Sequence, residues 1–202
     1  MIQLAILASG SGTNAENIIR YFAGHSLIGV GAVISNNPQA RVLEKAARYH
    51  IPARVFGNSA WEEPSPVTDY LEEIQADYLI LAGFLRKIHP SLISAYPNKI
   101  LNIHPALLPS YGGKGMYGDR VHEAVLANRE KASGITIHLV NEVYDAGKIL
   151  FQAELPVLPE DNPESLARRI HELEYRYYPK VIEQYIFPSN PAGYPKGLQI
   201  PQ

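Results

Sequence analysis

Runs of apolar residues with no polar alternation recur along the chain, and each is followed by a stretch with helical spacing. Ile2 to Ala8 is unbroken apart from Gln3 and leads into a helix-like Ala15–Phe22. Gly29 to Ile34 precedes a helix with Val42, Leu43, Ala46 and Ala47 on one face, and a short Ala53–Phe56 precedes a helix from Thr68 to Gln75. Tyr78 to Ala82 and Ile100 to His104 continue the rhythm. Strands apolar throughout are buried on both faces, and strand–helix alternation is the pattern of a parallel sheet covered on both sides. The expected class is therefore α/β, a doubly wound, mostly parallel sheet with helices on both faces.

Beyond Pro109 the pattern changes. Gly134 to Val140 and Ile149 to Leu155 stand close enough to make an antiparallel pair at the sheet edge. A last helix starts at Asp161-Asn162-Pro163-Glu164 and repeats Leu166, Ile170, Leu173 and Tyr177 along its packing face. The spacing predicts one domain over 1–187 and a flexible tail over 188–202.

Composition narrows the partners. Lys and Arg number 18 against 20 Asp and Glu, a net charge of -2, so no global field draws the chain to nucleic acid or to an anionic membrane surface. Small-molecule substrates are the expectation. Cysteine is absent, which removes thiolate metal sites and fits a reducing compartment, and no run is long enough to span a bilayer. A soluble, unprocessed cytoplasmic protein is expected, its oligomeric state open between monomer and homodimer.

Two motifs carry chemistry. Ser9-Gly10-Ser11-Gly12-Thr13-Asn14 lies between a strand and a helix, where glycines allow close backbone approach and the helix N-terminus favours an anion. The third glycine of the dinucleotide fingerprint is missing, so a monophosphate suits the loop better than NAD. Read locally, the same residues also fit a capped helix start, with Thr13 or Asn14 satisfying backbone donors. The second motif is Asn102-Ile103-His104-Pro105-Ala106-Leu107-Leu108-Pro109. Residues two apart on a strand share a face, so an amide and an imidazole project together where Pro105 ends the strand. Tyr111-Gly112-Gly113-Lys114-Gly115-Met116-Tyr117-Gly118 follows and reads as a mobile loop. Thr136 and His138 share one face of their strand, while Asp145 beside Ala146-Gly147 is locally an ordinary turn residue.

Taken together, Ser9–Asn14, Leu81-Ala82-Gly83-Phe84-Leu85-Arg86, Asn102–Pro109 and His138–Gly147 resemble the phosphoribosylglycinamide formyltransferase family. That resemblance implies transfer of a formyl group from 10-formyltetrahydrofolate, as co-substrate, to the amine of glycinamide ribonucleotide in purine synthesis, with a mononucleotide-binding half over about 1–100 and a folate-binding and catalytic half over about 101–187. It implies Gly12, Thr13, Asn14 and Glu174 as contacts to the ribonucleotide. Leu85, Arg86, Lys87, Ile88, Asn102, Val140, Asn141, Glu142, Val143 and Tyr144 are implied for the folate. The implied catalytic residues are Asn102, His104, His138 and Asp145. No metal is required, because polar donors can polarise the formyl carbonyl: Asn102 from its amide and His104 from a ring kept protonated by Asp145. Alternatives are a formyltetrahydrofolate deformylase, a formyltransferase acting on another amine and, last, a noncatalytic nucleotide-binding module.

Overall fold

The computed structural model describes residues 1–188; the tail expected over 188–202 lies outside them apart from its first residue. Seven strands order as β3-β2-β1-β4-β5-β6-β7 in one sheet. They are β1 (Ile2–Leu7), β2 (Ile28–Ser35), β3 (Ala53–Val55), β4 (Tyr78–Leu81), β5 (Ile100–His104), β6 (Ala132–Leu139) and β7 (Ile149–Pro156). The pairs β1/β2, β1/β4, β2/β3 and β4/β5 are parallel, whereas β6 and β7 are antiparallel. The mostly parallel α/β class and its antiparallel edge are as the hydrophobic pattern indicates. The chain divides into two compact units at Asn102 and Ile103.

In the first unit, Leu4, Ala5, Ile6 and Leu7 are each 0% exposed, so β1 is covered on both faces and its all-apolar sequence follows from that. Helices α1 (Thr13–Phe22), α2 (Val42–Arg48), α3 (Ser65–Glu73) and α4 (Pro90–Ala95) separate the strands. α2 buries Val42 and Ala46 but not the predicted Ala47, which faces solvent because a seven-residue helix lays only one narrow stripe on the sheet. α3 begins at Ser65 rather than Thr68, since Pro66 sits in the first turn, where its missing N–H costs nothing. Trp61, in a 3-10 turn over Asn58–Trp61, is buried and donates Nε1–H to the Phe56 carbonyl at 3.0 Å. It anchors its loop.

The second unit contains α5 (Asp119–Ala127), the β6/β7 pair and α6 (Pro163–Ile186). The core-facing row of α6 runs through Leu166, Ile170, Glu174 and Tyr178, with Val181 and Ile182 beyond. Leu173 and Tyr177, predicted for that row, are only half-buried. A strict spacing of four places a carboxylate and a phenol where an apolar reading seeks leucine and tyrosine one residue earlier. Asn162 caps the helix reciprocally: its Oδ1 accepts from Ser165 N at 2.9 Å, and its own N donates to Ser165 Oγ at 3.0 Å. Replacing Asn162 by Ala should lower stability by about 1 kcal/mol. In a domain of this size that is about 2–4 °C in Tm by calorimetry, and an unchanged Tm would show that the cap adds nothing.

Candidate active site

Within the first unit, the C-terminal ends of β1, β2 and β4 are tied by one hydroxyl. Ser9 Oγ donates to Asn36 Oδ1 at 2.6 Å and accepts from Leu85 N at 2.9 Å. The backbone of the same residue donates from Ser9 N to the Gly83 carbonyl at 3.0 Å. Gly12 is the N-cap of α1 with φ 69° and ψ 28°. This left-handed position suits glycine, and a Cβ there would also stand 2.8 Å from Val42 Cα. A glycine cap brings no side chain to the first-turn amides, so the cap is neither Thr13 nor Asn14. The turn is built to offer backbone donors. Glu16, the acid in that turn, is engaged by Lys45 and Tyr49, and the Lys45 hydrogen bond leads in holding its carboxyl below the usual range despite desolvation.

The residues assigned to folate differ in what they can offer. Leu85 is 52% exposed, while the Ile88 side chain is buried, so Ile88 could meet a ligand only through its backbone. Arg86 reaches Glu62 at 3.7 Å, which brings a cation to the loop over 57–66 that itself lacks one. In the second unit Asn141 holds its own turn: Oδ1 accepts from Val143 N at 3.0 Å and Nδ2 donates to the Ala146 carbonyl at 3.1 Å. That turn presents Glu142, Val143 and Tyr144 to solvent, with Val140 half-buried at its base.

His104, Asp145 and His138 come together in the second unit. His104 is 4% exposed, and its Nε2 lies 2.7 Å from the Tyr111 carbonyl, which can only accept. Nε2 therefore carries the proton and Nδ1 faces Asp145 Oδ2 at 3.7 Å. The same logic holds for His138, whose Nδ1 donates to the Leu139 carbonyl at 2.8 Å, turning Nε2 toward Asp145 Oδ1 at 3.6 Å. Asp145 Oδ2 also accepts from Gly113 N at 2.8 Å. Burial works to raise the Asp145 pKa, but the His138 side chain, the Gly113 N–H and charge on both imidazoles bring it below the ordinary carboxylate value. For His104 burial dominates and lowers the pKa, even though Asp145 and the Tyr111 carbonyl pull the other way. The expectation that Asp145 keeps the His104 ring protonated thus meets an opposing effect: desolvation outweighs the neighbouring carboxylate and favours the neutral ring. Asn102 is the half-buried member of β5, whose other four residues are buried.

The glycine loop is not free at its root. Tyr111 and Gly113 supply the contacts just described, and a Cβ on Gly112 would lie 2.6 Å from Leu108 Cδ2 and 3.1 Å from Asp145 Cβ, so the chain passes there only as glycine. Thr136 and Gln152 brace the segment after β5. Thr136 Oγ1 donates to the Ala106 carbonyl at 2.6 Å and accepts from Leu108 N and from Gln152 Nε2, both at 2.9 Å. Gln152 Nε2 also reaches the Leu108 carbonyl at 2.9 Å. In the sequence Thr136 shares the His138 face with no role apparent, and nothing marks Gln152. The available signal was a threonine in a fully buried strand, which needs acceptors and donors.

Glu174, buried on α6, has His171 Nε2 at 3.9 Å. His122 is 2% exposed, and its Nδ1 is buried without a hydrogen-bond partner. Burial first, and then the charge on His171, lower its pKa to about 4 against a favourable Asp119. Among the described residues no group of three or more His, Asp or Glu side chains is arranged to hold a metal ion, and no helix is long and apolar enough to cross a membrane.

Comparison with known proteins follows the same lines. A family model described as formyl transferase matches residues 2–182. The chain is 41% identical over 186 residues to the chloroplastic phosphoribosylglycinamide formyltransferase of Arabidopsis thaliana, covering 89% of this chain and 64% of that protein. It therefore spans a little under two thirds of that relative's length. It is 38% identical over 188 residues to the phosphoribosylglycinamide formyltransferase of Haemophilus influenzae, covering 91% of this chain and 86% of the relative. The crystal structure of the Bacillus halodurans phosphoribosylglycinamide formyltransferase superposes with a TM-score of 0.85 at 34% identity, covering 96% of this chain and 100% of the other.

The His122 shift has a definite sign. Its folded pKa of about 4 lies below the ordinary 6.5, so below pH 6.5 the unfolded chain takes up a proton that the folded one refuses. Its contribution is complete above pH 6.5 and is lost as pH falls toward 4, on the order of 3 kcal/mol in all. His104 and His171 are shifted the same way. The urea midpoint should fall across that window, and less steeply in His122→Gln; equal slopes would show that His122 is not the group responsible.

Proposed function

Because the chain belongs to the formyl transferase family, whose model spans residues 2–182, we propose that it transfers the formyl group of 10-formyltetrahydrofolate to the amine of glycinamide ribonucleotide, a step of purine biosynthesis. The observation that carries the chemical reading is a buried imidazole, its Nε2 on the Tyr111 carbonyl and its pKa lowered by burial, whose Nδ1 faces the Asp145 carboxylate. As the amine nitrogen bonds to the formyl carbon, negative charge develops on the formyl oxygen, and the Asn102 amide donates to it. Such a donor is worth roughly 3 kcal/mol in a dry site.

His104 Nδ1 takes the proton that the amine loses, and Asp145 beside it stabilises the imidazolium so formed. The proton then passes to the folate nitrogen as the bond from that nitrogen to the formyl carbon breaks. One N–H becomes N–CHO on the ribonucleotide, and one N–CHO becomes N–H on the folate. His138, its Nε2 3.6 Å from Asp145 Oδ1, supports the carboxylate from its other side. Gly12, Thr13 and Asn14 hold the phosphate, as the glycine cap supports, and Glu174 contacts the ribonucleotide. The folate is met by Leu85, Arg86, Lys87, Ile88, Asn102, Val140, Asn141, Glu142, Val143 and Tyr144.

Two measurements test this. Purified protein mixed with both substrates should form tetrahydrofolate only when the ribonucleotide is present, and His104→Ala and Asp145→Asn should each lower kcat by roughly 10²–10⁴-fold. Asparagine tolerates the left-handed backbone at Asp145, φ 53°, so that variant should keep its fold. Folate consumption without ribonucleotide would replace the reading with a deformylase, and undiminished turnover in both variants would overturn the mechanism. For the phosphate, Gly12 is a poor probe because any side chain there disturbs Val42. Thr13→Asp is better, since an acid in the first turn of α1 suits the helix dipole while repelling a phosphate. The KM for the ribonucleotide should rise about tenfold or more with no loss of Tm; an unchanged KM would remove the loop from phosphate binding.

A further inference from the structure

Resting on the formyl-transfer reading, we propose that Tyr111 is a positioning residue for His104 and Asp145, acting through its backbone and held in place by its phenol. Tyr111 has φ 57°, a left-handed conformation that is strained for a side-chain-bearing residue. The hydroxyl at the far end of the ring supplies what offsets this. It donates to Glu130 Oε1 at 2.7 Å and accepts from Asn128 Nδ2 at 2.9 Å. Asn128 is the C-cap of α5, with its N–H on the Ala124 carbonyl at 3.0 Å, and α5 buries Val121, His122 and Val125. The ring therefore ties the start of the glycine loop to an element that cannot drift.

What the clamp aims is two peptide units long. The Tyr111 carbonyl receives His104 Nε2–H, and the Gly113 N–H donates to Asp145 Oδ2. Gly112 between them passes against Leu108 and Asp145 with no room for a side chain. One short segment thereby sets the tautomer of the imidazole and one partner of the carboxylate. Three glycines between Tyr111 and Tyr117 give the loop little stiffness of its own, so the phenol clamp is the device that holds the carbonyl on the ring. Burial and the bond to Glu130 raise the Tyr111 pKa, which keeps the hydroxyl a donor.

The test is Tyr111→Phe, which keeps the ring and removes the clamp. Nitrogen-15 spectra of the substrate-free protein should show His104 with its proton on Nε2, and the variant should show a second population with the proton on Nδ1. Its kcat should fall about tenfold with both KM values held within about twofold, because the loss falls on the reacting group rather than on binding. Glu130→Gln, which still accepts from the phenol, should restore the parental spectrum and rate, whereas Glu130→Ala should reproduce the Tyr111→Phe behaviour. An unchanged His104 spectrum together with an unchanged kcat in Tyr111→Phe and Glu130→Ala would overturn the proposal. The spectrum needs no substrate, so absence of formyl transfer in the parent protein would strike the functional reading alone and leave the clamp to be decided by the tautomer.

Discussion

Two backbone carbonyls, those of Tyr111 and Leu139, decide what the second unit presents to Asp145. Each accepts from one ring nitrogen of a histidine, and each thereby turns the other nitrogen toward the carboxylate. Burial works to raise the Asp145 pKa, and the His138 side chain and the Gly113 N–H together outweigh it. The remaining structure around the site serves that geometry. Thr136 and Gln152 fix the exit of β5, Gly112 lets the loop pass, and the turn held by Asn141 brings Asp145 around in a left-handed conformation.

Much of the architecture was legible because burial on both faces leaves a continuous apolar signature. β1, β2, β4 and β5 were found within a residue or so of their ends, and the antiparallel partner β7 was found from its proximity to β6. Helix faces were less legible. In α6 the rule that apolar residues mark the buried row selected Leu173 and Tyr177, while the row of four-residue spacing ran through Glu174 and Tyr178. A polar residue on a buried stripe looks like an error in the pattern until its surroundings are known, and that is how a buried carboxylate escapes a hydrophobicity reading.

The individual site residues divide in the same way. Asn102, His104, His138 and Asp145 were named from motif resemblance, and the last three lie within ion-pair distance of one another through Asp145. The protonation of His104 was not legible because the sequence shows the charged neighbour but not the desolvation, and desolvation is the larger effect here. Gln152 and the Tyr111 carbonyl were invisible for different reasons. Gln152 stands on an edge strand where glutamine is unremarked, and a carbonyl has no residue identity at all.

The hydroxyl of Ser9 has a consequence for the first unit. By joining the end of β1 to Asn36 after β2 and to Leu85 after β4, it makes three connecting loops one mechanical body. Loops that share a single hydrogen-bonded node lose their independent conformational entropy when the chain folds rather than when a ligand arrives. Under the proposed phosphate reading, the loop backbone is ordered before the anion arrives, and the free energy of its few contacts appears as affinity instead of being consumed in ordering that backbone.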